Sequence, residues 1–481
     1  MRTNTLYPWF ISLLLSVLFI SCENTSKQGK EYDLSIFFIS DHHSQTDNFS
    51  KIKVIIDEAR QQGDIMLVSS GDMFSGNPLV DYYPEKGYPV IDLMNHTGFD
   101  LATLGNHEFD YGQEVLQDRI DQAEFEIICA NMESSSPLLQ TPPPFTSISA
   151  GDLEVCFVGV IETGGKPTDV IPSTHPGMLE NLSFSDASDI LGSYSDLKDE
   201  QDADLLILLS HLGHNSGEDG TSDYSVARDF PFFDAIIGGH SHSIQDTTIN
   251  GVHIYQSGAY LDYLGKASFR IKDGKIISEE FELIDLNEFE KTDEEMEALI
   301  EDYNNNPAFY EVIGTNAVSL TRNRTAGCYY TDALRGYLDA DMAIQNPGGI
   351  RAGLDEGDIS ILEIYRIDPF NNMLLEYEME VSEIKSFLKG SGAAFYYSGV
   401  IIETGPSGAV VIKDPAGTVY SDDHILSLAI NDYIPAVYEE YFGEPSHTFD
   451  MTTADAIISY TRGLEEPLSY DSCKRYFRYS E

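Results

Sequence analysis

Residues 34–76 read "LSIFFISDHHSQTDNFSKIKVIIDEARQQGDIMLVSSGDMFSG", and the fold class follows from this stretch. An apolar run, Leu34–Ile39, breaks into a loop of Ser, Asp and His. The next segment, 48–63, carries helical spacing, and a second apolar run, 64–70, ends at Gly71-Asp72. Strand, polar loop, helix and strand form the unit of an α/β domain. The pattern continues with "FDLATLG", "FEIICAN", "LEVCFVGV", "DLLILLS", "FDAIIGG" and "GVHIYQS" up to about residue 286. Near-continuous apolar strands imply sheets covered on their faces, and polar loops at strand ends are where such folds bind ligands. If the period of two carries past Ile39, Asp41 and His43 share one side and His42 takes the other.

A chain of 481 residues is too long for one core, and two or three domains are expected. The charged stretch 287–306, "NEFEKTDEEMEALIEDYNNN", marks a solvated linker helix. The expected division is a targeting segment over 1–21, a tether over 22–33, a first domain over 34–286, a hinge over 287–314 and a second α/β domain over 315–481. Lys and Arg number 28 against 80 Asp and Glu, a net charge of −52. Polymeric nucleic acid and basic attachment to an anionic membrane are excluded as partners on that balance. An anionic small molecule would need metal ions or a few placed arginines.

Arg2, the apolar "WFISLLLSVLFIS" and Cys22 after Ser21 resemble a bacterial lipoprotein signal, with Cys22 as the lipidated residue. This implies export and a lipid anchor in the cell envelope as the only membrane contact; cleavage and plain secretion is the rival reading. Cys129, Cys156, Cys328 and Cys473 form no Cys-x-x-Cys pair, and spacing alone assigns no disulfide. Cys129 and Cys156 lie in strand-like runs and are expected as buried small apolar residues.

The chain has only 12 histidines, and they crowd the strand-end loops. Asp41-His42-His43 follows the first strand, and "GDMFSG" holds Asp72. "GNHEFDYG" holds Asn106, His107 and Asp110; "SHLGH" holds His211 and His214; "GGHSHS" holds His240 and His242. Imidazole, carboxylate and amide oxygen together suit borderline divalent ions such as zinc or manganese. One Asp shared by two ions places them about 3.5–4 Å apart, where they activate water and clamp a phosphoryl group. A metal-free histidine oriented by a carboxylate, as His107 by Asp110, can protonate a leaving oxygen or steady charge.

The order Asp-x-His, Gly-Asp, Gly-Asn-His-Glu-Phe-Asp, Ser-His-Leu-Gly, Gly-Gly-His-Ser-His resembles the calcineurin-like metallophosphoesterases, and more narrowly the bacterial 5′-nucleotidase/UDP-sugar hydrolase family. The resemblance implies an αββα metallophosphoesterase sandwich followed by a 5′-nucleotidase C-terminal-type domain. It implies two divalent metal ions, the first held by Asp41, His43 and His242, the second by Asn106, His211 and His240, with Asp72 bridging. His107 and Asp110 become the catalytic pair. In the second half, "QNPGGIRAGL" and "DPFNNML" are similar to that family's Asn-Gly-Gly-Gly-Ile-Arg and Pro-Phe-Gly-Asn segments. Asn346, Gly348, Gly349, Arg351 and Arg322 are carried over as substrate contacts. Two aromatics that sandwich a base are expected at Phe395 and Tyr433, with Glu439 where the family has Asp.

The implied activity is hydrolysis of nucleoside 5′-monophosphates or related phosphate esters. The alternatives are another ester on the same fold (a cyclic nucleotide, a UDP-sugar pyrophosphate or a sulfur ester) and a noncatalytic ligand-binding protein. The remaining histidines (His42, His96, His175, His253, His424 and His447) are expected as surface or packing residues, and His214 as either an outer partner of the site or a loop residue. Ser40 and Ser44 stand where that family has Asn and Gly. Ser44 fits without strain only at negative φ. Oligomeric state is left open by the sequence.

Overall fold

The computed structural model describes residues 29–164, 171–214, 220–322, 324–405, 408–470 and 473–479. The signal-like segment and Cys22 therefore lie outside the described residues. The first strand, Glu31–Ile39, starts inside the stretch expected as tether. Its alternation sends Leu34, Ile36 and Phe38 to one side of the sheet and Phe37 and Ile39 to the other, all of them buried. It pairs in parallel with Ile65–Ser69 and antiparallel with Tyr263–Lys272.

Two six-stranded sheets stack in this half. One runs Lys275–Asp285, Tyr263–Lys272, Glu31–Ile39, Ile65–Ser69, Leu101–Thr103, Glu126–Ile128; the other runs Ile244–Ile249, Val252–Ser257, Ala235–Ile237, Leu205–His211, Leu153–Ile161, Phe145–Ala150. Ile36, Phe38 and Val68 of the first sheet meet Phe157, Ile207 and Leu209 of the second in the central layer. Burying each such side chain contributes about 1.5–3 kcal/mol. Helix Phe49–Arg60 packs Phe49, Ile52 and Ile56 on the outer face of the first sheet. Leu191, Leu197 and Val226 cover the second, against Cys156 and Val158. The result is helix, sheet, sheet, helix. Cys129 and Cys156 are buried free thiols.

The helix expected as a solvated linker runs Glu294–Asn304, capped by Asp293, whose carboxylate accepts the Met296 N–H. One face is not solvated: Met296 and Ile300 are buried in the first domain's outer core. The chain crosses over after it, because the strand Val312–Asn316 already pairs with Gly357–Ser360 in the second domain. That domain is built on a six-stranded sheet in the order His447–Thr452, Met373–Glu380, Ile425–Asn431, Met342–Gln345, Ala394–Ser398, Tyr476–Arg478. Helices Thr325–Leu338 and Thr453–Arg462 pack on each other through Tyr329, Ala333 and Ile457. A disulfide joins Cys328 of the first helix to Cys473, with Cα atoms 6.3 Å apart. The two domains touch through Leu79, Phe309 and Leu362, and the Tyr82 and Tyr365 rings lie 3.8 Å apart.

Candidate active site

The strand-end loops of both sheets in the first domain converge at one edge. Asp41, His43, Asp72 and His242 each bring one ligand atom within 4.8 Å of the others, and Asp72, His211 and His240 do the same. Asp72 belongs to both groups. His211 Nε2 stands 3.2 Å from Asp72 Oδ2, and His43 Nε2 stands 3.8 Å from the same oxygen. The Asn106 amide oxygen joins the second group, 3.0 Å from His240 Nδ1.

The backbone, rather than strand alternation, sets these directions. Asp41, His43, Asp72, His240 and His242 all have φ between 48° and 71°. Asp41 and His43 do share a side, as expected, but the strand has already ended at Ile39. Their left-handed residues re-aim the chain. His42 turns the other way, fully buried with its ring edge against Phe49. Ser44 adopts φ 58°, so the condition for a strain-free fit is not met. A non-glycine residue there carries strain on the order of 1 kcal/mol. Gly105 is required on different grounds: a Cβ would lie 2.4 Å from Asp72 Oδ1.

Main-chain groups orient the imidazoles. His43 Nδ1 donates to the Ser75 carbonyl at 2.9 Å, and His211 Nδ1 donates to the Ser70 carbonyl at 2.6 Å. In the neutral form of each ring Nε2 is thereby the lone-pair atom, the form that ligates a metal. Glu108 of "NHEFD" ties the loops together, accepting the N–H groups of Asp72, Met73 and Gly105. This bracing role was not read from the sequence. The Asp41 carboxylate accepts the His240 N–H at 2.7 Å and the Gln256 amide at 3.4 Å. His214 proves an outer partner: its Nδ1 lies 3.1 Å from Ser243 Oγ, which also donates to Gln256.

The electrostatics suit cations. Burial pushes His43 well below its ordinary pKa, His240 to about 3 and His242 to about 4, so these rings stay neutral. Burial also lowers His211, but the Asp72 and Asp41 carboxylates outweigh it and lift His211 to about 10, so without a cation this ring holds a proton on Nε2 against Asp72, and a cation would bind there by displacing that proton. His211 Nε2 is buried beside the Asp72 carboxylate, and the His43 and His242 Nε2 atoms converge to 2.9 Å. Nitrogens and carboxylates so arranged fit divalent cations. His107 stands apart from both groups. Its Nδ1 is 2.6 Å from Asp110 Oδ2, and although burial opposes its charge, Asp110 and Asp72 raise its pKa.

The second domain closes a cavity of about 120 Å³ over this edge. Asn346, Gly348, Gly349, Arg351 and Tyr433 line it opposite His107 and Asp110. Arg351 lines the cavity together with His107, and its charge opposes protonation of His43, His107 and His242. Three expected contacts are not at the cavity. Phe395 is 1% exposed in the second domain's core, its ring 4.9 Å from Phe387, because its strand turns that face inward. Phe370 is the aromatic that faces the cavity with Tyr433, stacked 5.9 Å from His107 and 5.5 Å from the Arg351 guanidinium. Its motif "DPFNN" is visible in the sequence, but nothing in the motif shows that the ring faces the cavity. Arg322 is exposed and donates to the Ile350 carbonyl, bracing the Arg351 loop from outside. Glu439 is exposed in the turn Glu439–Tyr441, outside the cavity lining. His175 and Asp432, by contrast, line the cavity, so His175 is no bystander.

The calcineurin-like phosphoesterase model matches residues 34–243, and the 5′-nucleotidase, C-terminal domain model matches 310–432. This chain is a metal-dependent phosphoric ester hydrolase of the 5′-nucleotidase family. It is 27% identical over 497 residues to the trifunctional nucleotide phosphoesterase protein YfkN of Bacillus subtilis; that alignment covers 88% of this chain and 33% of YfkN. It is 24% identical to the 5′-nucleotidase of Vibrio cholerae, over 77% of this chain and 79% of that one. In structure it resembles a 5′-nucleotidase precursor from Thermus thermophilus, with a TM-score of 0.75, 19% identity and coverage of 90% and 96% of the two chains.

Proposed function

We propose that this hydrolase cleaves nucleoside 5′-monophosphates with two divalent cations bound between Asp41, His43, Asp72 and His242 on one side and Asp72, Asn106, His211 and His240 on the other. The sharing of Asp72 between the two ligand groups carries the reading. When bound, such ions supply Lewis acidity and an acidified water. The chain's own groups do the rest. Arg351 holds phosphate oxygens with a fixed guanidinium fork, in a chain with little other positive charge. His107, oriented by Asp110, stabilises charge on the phosphoryl group or delivers a proton to the leaving oxygen. Phe370 and Tyr433 offer ring faces to the nucleoside, and Asn346 a polar contact at the cavity wall.

Export supports the same reading. A Cys328–Cys473 disulfide belongs to an oxidising compartment, in line with the signal-like start and lipid attachment at Cys22. No helix among the described residues is long and apolar enough to cross a membrane. A substrate panel on metal-loaded protein tests the function: nucleoside monophosphates, cyclic nucleotides, UDP-glucose, a thiosulfate ester and p-nitrophenyl phosphate. Fastest turnover of a nucleoside monophosphate is expected. Preference for any other ester moves the assignment to that substrate, and no turnover at full metal content leaves a ligand-binding protein.

A further inference from the structure

One pair of side chains faces across the domain boundary at the cavity wall with its hydrogen bonding incomplete. His175, from the first domain, places Nε2 3.9 Å from Asp432 Oδ2 of the second. That is too long for a hydrogen bond. Among the described residues, His175 Nε2 and Asp432 Oδ1 are shielded from solvent and have no hydrogen-bond partner. A buried donor and acceptor left so are costly, and a ligand group that satisfies both recovers that cost.

The polarity of each is fixed. His175 Nδ1 accepts the Gly177 N–H at 3.1 Å, so the neutral ring carries its proton on Nε2 and presents a donor. Asp432 presents two acceptors. Burial raises the pKa of its carboxyl, against the pull of His175 and of main-chain N–H groups at Met373 and Tyr433. Added N–H donors would favour the ionised form. The neighbouring Tyr433 ring lies 6.4 Å from the His175 ring and lines the same cavity. A base stacked on Tyr433 therefore has its polar edge within the surroundings of this pair.

We infer that His175 and Asp432 read the edge of the nucleobase and select guanine. One donor beside two acceptors complements an edge with one acceptor beside two donors. Guanine has that edge, with O6 taking the imidazole proton and N1–H and N2–H meeting the carboxylate oxygens. Hypoxanthine lacks the second donor. Adenine offers an amino donor and a ring acceptor, and leaves one carboxylate oxygen unmatched. The inference rests on the nucleotide reading above and adds the base to it.

The test is kcat/KM of the metal-loaded full chain on GMP, IMP, AMP and p-nitrophenyl phosphate. GMP is expected to exceed AMP tenfold or more, with IMP between them. Asp432→Asn, which replaces one acceptor by a donor at the same shape, should cut the GMP-to-AMP ratio at least tenfold. His175→Ala should lower GMP and IMP relative to AMP. Ratios within one preparation do not depend on how much of it is folded or metal-loaded. AMP equal to or above GMP in the parent protein, or an unchanged ratio in Asp432→Asn, overturns guanine selection while nucleotide hydrolysis stands. Cleavage of the aryl phosphate with none of the three nucleotides overturns both readings.

Discussion

At the floor of the cleft, His43 and His211 are each held by a main-chain carbonyl, and Asp72 takes the His107 N–H at 2.9 Å. On the facing wall the supports come from within the second domain: the Arg351 N–H bonds to Ile367, and the Asn431 amide bonds to Gln345 and Asn346. The floor is thus positioned within one domain before anything binds. The wall meets the reacting edge only through the packing of its domain on the first. Changes to the floor should act mainly on turnover, and changes to the wall on apparent affinity.

The largest effect is expected at the floor. Asp72→Ala removes the shared carboxylate and should lower kcat by several kcal/mol of barrier, about 10³-fold or more, with bound metal falling in parallel. Retained metal content with retained kcat would remove Asp72 from the site. His107→Ala should lower kcat by about 10²- to 10⁴-fold while leaving metal stoichiometry in place, since His107 belongs to neither ligand group. At the wall, Arg351→Ala should raise KM by roughly 10- to 100-fold on AMP and on p-nitrophenyl phosphate alike, because both bring a phosphate. Tyr433→Ala should raise KM about tenfold for AMP and much less for the aryl phosphate, the loss of one base-stacking face. Equal effects on the two substrates would make Tyr433 a packing residue. The smallest effect belongs to Ser44→Gly, which relieves a left-handed φ at about 0.5 kcal/mol and roughly 1–2 °C in Tm by calorimetry.

Legibility follows the same division. The floor is built from local pieces: each candidate residue sits within a few residues of a strand end, so short motifs carried Asp41, His43, Asp72, Asn106, His107, His211, His240 and His242 together. What those motifs could not convey is the left-handed backbone that aims them, since Asp and His tolerate that region without announcing it. The wall depends on which way a strand faces and on what crosses from the other domain. Phe395 and Phe370 are equally plausible aromatics as letters, yet the sheet buries Phe395 and leaves Phe370 at the cavity. His175 was unreadable for a related reason. It lies more than 250 positions before Asp432, and only the packing of one domain on the other brings them to one wall.

The Cys328–Cys473 link spans 145 positions and encloses the Asn346–Arg351 loop, Phe370, Asp432 and Tyr433. The recognition wall is therefore a covalent ring. A protease that nicks a loop within that span leaves both pieces attached, and the clip would show on a denaturing gel only after reduction. Such a nicked protein keeps its wall assembled until a reductant opens the ring.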